Sequence, residues 1–193
     1  HSQYVLAALA EGCHVFVEKP LCLSTAEATK IVAAAQEADR HVQVGYLFRH
    51  HPTYQQVQQW LREGLLGEPH MALVRMGGRG SAAAWKHRRA DGGGVVNEMI
   101  VHKLDLLMWF FGNVELHKVH ARHTLLPQRV IEGQLCEGDA EDFLLAEMQA
   151  GGTKIFLQGD LATPTYMENV EVHGANGSIV ASIVEGFRSY LWL

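Results

Sequence analysis

Apolar and polar residues alternate with two periods along this chain, one suited to strands and one to helices. "CHVFVEKP" at 13 to 20 is a short apolar run stopped by Glu18, Lys19 and Pro20, the pattern of a buried parallel strand. In "STAEATKIVAAAQEADR" Ser24 and Glu27 have capping-box spacing, and Ala28, Ile31, Val32 and Ala35 form one stripe, which predicts a helix. "HVQVGYLFR" at 41 to 49 supplies a second strand, and the opening "HSQYVLAALAEG" reads as the body of a helix ending at Gly12. Helix, strand, helix, strand is the grammar of a βαβ unit.

The grammar then changes. "HPTYQQVQQWLREGLLGEP" predicts a helix with Tyr54, Val57, Trp60 and Leu61 inward and a stop between Gly64 and Gly67. "HMALVRM" at 70 to 76 reads as a strand, followed by a Gly-rich loop with Trp85 and Arg88. From Val114 onward, strand patterns separated by Gly, Asp and Asn turns predict an antiparallel meander backed by helices.

Between these parts lies "DGGGVVNEMIVHKLDLLMWFFG" at 91 to 112, a helix pattern apolar almost all round. Glu98, His102 and Asp105 follow the i, i+4, i+7 spacing that stacks side chains on one face, and Trp109 extends the line. Burying an unsatisfied polar group costs roughly 1 to 3 kcal/mol, so a stripe of three calls for a reason. One reading is a structural hydrogen-bond network or an exposed face. The other is a proton-handling site: His102 shuttles a proton near neutral pH while Glu98 and Asp105 set its tautomer and charge. The three glycines ahead of it would let a ligand approach the helix N-terminus. A second polar group, Glu18, Lys19 and Pro20, stands at a strand's carboxyl end, where open α/β sheets take ligands; alone it would be a turn with a solvated ion pair.

Composition narrows the classes. The 193 residues are 48% hydrophobic and 19% charged, as in folded globular proteins, and 21 acids against 16 Lys and Arg give a formal charge of -5. That balance offers nothing to nucleic acid or an anionic membrane, and no apolar run approaches the ~18 residues of a membrane span. Cys13, Cys22 and Cys136 are odd in number and widely spaced, which argues against a disulfide framework or structural zinc and for a cytoplasmic setting. In "HKVHARH", His117 and His123 share a strand face while His120 points away, so no metal site is expected. His50 and His51, before Pro52, read as turn residues. The absence of an initiating Met suggests a piece of a longer chain.

The stretch "AALAEGCHVFVEKPLCLSTAEATKIVAAAQEADRHVQVGYLFRHHPTY" closely resembles the Gfo/Idh/MocA oxidoreductases, and the likeness continues through "LREGLLGEP", "GGGVVNEMIVHKLDLLMWFFG" and "VEVHGANGSI". EKP, then VGYxxR, then GGGxxxExxxHxxD, in that order, is a specific signature. The resemblance implies an α/β protein: residues 1 to 49 form the C-terminal portion of an NAD(P)-binding Rossmann domain, and 50 to 193 a substrate domain with a mostly antiparallel open sheet. It implies NAD or NADP as cofactor, a sugar or polyol substrate, and a homo-oligomer formed through the second-domain sheet.

By the same resemblance, Lys19 lies near the nicotinamide and the reacting hydroxyl, with Glu18 and a cis-linked Pro20 shaping the cofactor side. His102 is the acid/base residue. Glu98 stands where Asp is more usual and contacts substrate. Tyr46, Arg49, Trp85 and Arg88 reach cofactor or substrate, Lys86 belongs to the same loop, and Asp105 ranks as structural. Ile100 replaces a Gly two residues before the histidine, where its bulk would narrow the pocket. The GxGxxG turn is expected upstream of His1, "GGRG" at 77 to 80 being no substitute, and "SIVEGFRSYLWL" is expected to stop short of the family's closing elements. The reaction implied is hydride transfer from a CH–OH carbon, with Lys19 stabilising the alkoxide. Two alternatives share the scaffold: a glycosidase that uses NAD transiently, and a non-catalytic sensor or remnant.

Overall fold

A computed structural model describes residues 1–79, 83–131, 133–184 and 189–193. Gly80 of the GGRG segment and residues 185 to 188 of the last segment lie outside the described residues. The chain divides into two compact units, His1–Leu47 and Phe48–Leu193.

In the first unit, α1 (Ser2–Ala10), β1 (Val15–Val17), α2 (Thr25–Ala38) and β2 (Val42–Val44) alternate, and β1 pairs with β2 in parallel. Ser24 caps α2 by accepting from the Glu27 N–H. The Glu27 carboxylate reaches back to the Leu23 N–H rather than to that of Ser24, and also accepts from the Ser2 hydroxyl, tying α1 to α2. Val5, Leu9 and Ile31 form the core, with Val15, Val17 and Val42 packed on it. The buried strand read from the sequence is thus covered on one face only: both helices pack on the Val15 and Val17 side, and Phe16 is 68% exposed.

The second unit begins with a 3₁₀ turn and α3 (Pro52–Arg62), capped by the His51 ring, which accepts from the Thr53 N–H. Then follow β3 (Pro69–Gly77), two 3₁₀ turns (Ala84–His87 and Arg89–Asp91), a π-helical turn (Val96–Ile100) and α4 (Val101–Phe111). The remaining strands are β4 (Glu115–His123), β5 (Gln128–Ile131), β6 (Gln134–Glu137), β7 (Phe143–Ala150), β8 (Thr153–Asp160), β9 (Met167–Gly174), β10 (Ser178–Ala181) and β11 (Tyr190–Trp192). The sequence pattern does not resolve the β5–β6 hairpin, because its short strands are exposed and lack an apolar face.

The main sheet has the order β11-β10-β9-β3-β8-β7-β4. It is not the simple meander expected: β3 inserts between β8 and β9, parallel to β8 and antiparallel to β9. Every other neighbouring pair is antiparallel, so the sheet is mostly antiparallel, as the sequence implies. Alternation sends Val74, Ala146, Leu157 and Val172 to one face, where they pack against Tyr54, Val57, Ile100, Leu106 and Leu107. On the opposite face, cross-strand partners run Glu147, Phe156, Leu73, Glu171, Val180 and Tyr190 in one row. Two irregularities in β4, between Leu116 and Lys118 and between Val119 and Ala121, break the strict alternation assumed for its histidines.

Candidate functional site

In the first unit, the expected cofactor residues gather at the carboxyl ends of β1 and β2. The Lys19–Pro20 peptide bond is cis, and the Pro20 carbonyl lies 2.8 Å from His1 Nδ1. The Glu18 carboxylate folds over Gly45; a Cβ there would stand 3.3 Å from its atoms, so the glycine of VGY makes room for the acid of EKP. Tyr46 follows at once. Glu18, Lys19, Pro20 and Tyr46 thus follow the carboxyl ends of two paired parallel strands, the end at which open α/β sheets take ligands.

In the second unit, Glu98 lies in a π turn and His102 and Asp105 in the α-helix that follows it, and each of the two acids has a basic partner. Lys86 Nζ donates to Glu98 Oε1 at 2.9 Å, both groups lying partly buried. One helical turn beyond His102, Asp105 accepts from Arg49 Nε and Nη2, each at 2.6 Å, in a forked ion pair. The same guanidinium lies 5.8 Å from the Trp109 ring centroid, which places the end of the stripe in the arrangement too. His102, only 6% exposed, lies between the two acids in sequence and stacks on Phe48 with ring centroids 4.9 Å apart. A buried imidazole is a group suited to passing a proton near neutral pH.

The helix begins with a π turn, a widening that often accompanies functional sites. Ile100 within it does not narrow a pocket, contrary to expectation: it is fully buried against β8, where a Cβ on Gly159 would overlap its Cδ1. The glycines ahead of the helix are also required by packing. A Cβ on Gly93 would overlap the Lys86 carbonyl, and one on Gly94 would lie 2.6 Å from Oε1 of the buried Glu141, which Arg122 holds at 2.9 Å.

The loop residues are placed separately. Trp85 is half exposed, with Lys86 Nζ 5.5 Å from its ring. Arg88 pairs loosely with Asp91 and lines a cleft of about 560 Å³ against Pro127, Gln128 and Glu137. Among the described residues, no group of three or more His, Cys, Asp or Glu is arranged to hold a metal ion.

Sequence reasoning passed over Lys103. Its ammonium is fully buried, donates to Tyr54 Oη at 2.7 Å, and pairs with the equally buried Glu168 carboxylate, which also accepts from Tyr54. Ser182 Oγ, at 3.0 Å, and the Ile183 N–H satisfy the other Glu168 oxygen. Burial presses the Lys103 ammonium down to about 8 against the opposing pull of Glu168. Burial works to raise Glu168, but the Lys103 charge and the hydrogen bonds from Lys103, Tyr54 and Ile183 outweigh it and hold the carboxyl below its usual range. The signal was available, since a charge inside an apolar helix demands a partner whether or not it falls on the Glu98 line.

The family model described as the GFO/IDH/MocA C-terminal domain matches residues 54–180, and that of the oxidoreductase family with an NAD-binding Rossmann fold matches residues 1–46. The chain belongs to the Gfo/Idh/MocA oxidoreductase family. Among similar family proteins, inositol 2-dehydrogenase of Acidothermus cellulolyticus is 35% identical over 122 residues, 63% of this chain and 34% of that protein. Myo-inositol 2-dehydrogenase of Thermotoga maritima is 26% identical over 184 residues, 95% of this chain and 54% of that one. The crystal structure of GenD2 from gentamicin A biosynthesis, in complex with NAD, superposes with a TM-score of 0.82 at 27% identity, over 96% of this chain and 52% of that chain. The chain therefore spans about half the length of the Thermotoga protein and of GenD2, and its match to the Acidothermus protein covers a third of that one. No helix among the described residues is long and apolar enough to cross a membrane.

Proposed function

We propose that this Gfo/Idh/MocA protein serves NAD(P)-dependent oxidation of a CH–OH group on a polyol or sugar. The observation that carries the reading is His102, buried in α4 and stacked on Phe48, with an acid on either side of it in sequence that is paired with a basic partner. His102 takes the hydroxyl proton as the carbonyl forms. Lys19 supplies positive charge to the developing alkoxide, which electrostatic stabilisation favours strongly in a dry site. Glu98, held in place by its hydrogen bond from Lys86, accepts a hydrogen bond from the substrate or orients the imidazole. Glu18, Lys19, Pro20 and Tyr46 hold the nicotinamide end of the cofactor, with Arg49, Trp85 and Arg88 as further contacts. The cofactor, when bound, accepts the electron pair and hydrogen of the C–H bond at its C4.

Myo-inositol is the first substrate to try, because two of the similar proteins are named for its oxidation. The residues of the open sheet face, including Phe156, Tyr190 and Trp192, support association of two copies through that face. The three free cysteines accord with a cytoplasmic setting.

Assay of cofactor reduction with myo-inositol and related polyols tests the reading. His102→Ala and Lys19→Ala should each lower kcat by roughly 10²-fold or more, in the range of a lost acid/base or electrostatic group. Unchanged kcat in both variants would refute it. Product formed without net cofactor turnover would point to the transient-oxidation glycosidase instead.

A further inference from the structure

The helix that carries His102 carries a buried ammonium on the next residue, and one aromatic ring touches both. Lys103 Nζ lies 5.3 Å from the Phe48 ring centroid and 4.8 Å from that of Tyr54. Phe48 stacks on Tyr54, centroids 5.7 Å apart, and on His102, centroids 4.9 Å apart with the planes 23° from parallel. Glu168 on β9 and Ser182 beyond β10 fix the ammonium and the Tyr54 hydroxyl from the sheet side.

We propose that Lys103, Glu168 and Tyr54 form a positioning device for His102 that acts through Phe48. The inference rests on the reading of His102 as the acid/base residue. A buried ion pair contributes little net stability compared with an apolar substitute of the same volume, so its presence beside a functional helix asks for another role. Here the role is geometric. Aromatic stacking prefers particular offsets, so a Phe48 ring held by Tyr54 and by the cation fixes the plane of the imidazole resting on it. It also fixes the charge environment. The ion pairs on the elements that flank His102 in sequence or pack on Phe48 include Glu98 with Lys86, Asp105 with Arg49, and Lys103 with Glu168 and Tyr54. The third pair meets the ring that stacks on the imidazole. Phe48 shields one face from water, and a nearby cation disfavours an imidazolium; both effects hold the histidine toward its neutral, proton-accepting form.

The test is a titration of the imidazole rings by proton–nitrogen NMR on this chain, with the His102 signal assigned through His102→Asn. Wild type is compared with Phe48→Leu, which keeps apolar bulk, and with Lys103→Met/Glu168→Gln, which removes both charges together. Thermal unfolding confirms that each variant is folded. The His102 pKa is expected to rise by about half a unit or more, in Phe48→Leu as the imidazole face opens to water and in the double variant as the cation that holds Phe48 is lost, with His14, His41 and His173 unmoved. A His102 pKa unchanged in the folded variants, alongside a lowered Tm, would make the network merely structural and overturn the proposal. If the double variant does not fold, Phe48→Leu decides alone. In the dehydrogenase assay, Phe48→Leu should lower kcat about tenfold and leave KM within about twofold, the split expected of misplacement rather than lost binding. Full turnover in His102→Ala would sink the acid/base reading while the titration kept its own outcome, so the two failures are distinguishable.

Discussion

Arg49 and Asp105, 56 residues apart in sequence, face each other through two parallel hydrogen bonds of 2.6 Å, so the turn before α3 is clamped to the middle of α4. The guanidinium fork matches the carboxylate at two points, which an ammonium cannot do. Arg49→Lys should therefore cost about 1 kcal/mol, kept small because the arginine is partly exposed and solvent screens the pair. Urea unfolding measures it; a variant as stable as wild type would show that the fork adds nothing to a point charge.

The Lys103–Glu168 pair should behave differently, because neither side chain reaches water. Lys103→Met leaves a buried carboxylate without its cation and should cost roughly 3 to 5 kcal/mol, while Lys103→Met/Glu168→Gln should be less destabilised than either single variant. A denaturant double-mutant cycle reads the coupling directly. Additive losses would mean that the two groups do not interact.

Both shifts in that pair have a sign in pH. Glu168 is held below its unfolded value of 4.5, so the stability it contributes is complete above that value and drains away as pH falls through the lower folded one. Lys103 is depressed from 10.5 to about 8. In that interval the unfolded chain binds the proton more tightly, so the cost of burying the ammonium is fully present below about 8 and is relieved as pH rises toward 10.5. The stability difference between wild type and Lys103→Met/Glu168→Gln should thus shrink in acid and grow through the alkaline window. Urea midpoints across pH give the curve, and a difference flat with pH would contradict both shifts.

Gly159 and Ile100 make a steric prediction. A methyl at Gly159 would overlap Ile100 Cδ1 and crowd Val95 Cγ2 at 3.3 Å. Gly159→Ala should cost about 1 to 3 kcal/mol, and adding Ile100→Val, which removes the offending methyl, should recover part of it. Thermal or urea unfolding of the single and double variants settles whether the two positions are coupled.

Much of this arrangement was legible in the residues themselves. The Ser24 and Glu27 pattern marked a real cap, because it depends on spacing along one element, whereas the line from Glu98 to His102 crosses from the π turn into α4. What the sequence hid was set by distant pairing. Ile100 does not reveal its partner locally, so its expected role toward a pocket gave way to packing against Gly159 on β8. The partner of Lys103 lies 65 residues away on β9, and no local periodicity announces it. The insertion of β3 between β8 and β9 was equally invisible, since alternation tells which face a residue takes and nothing about which strand lies beside it.

That insertion governs how the second unit can be assembled. Both neighbours of β3 are made late: Val74 waits for Leu157 on one flank and Val170 on the other. During synthesis the middle of the sheet stays open until nearly a hundred further residues have emerged, and its apolar edge needs shelter for that time. Completing the sheet around β3 therefore depends on contacts of long sequence separation, which form only after β8 and β9 have emerged.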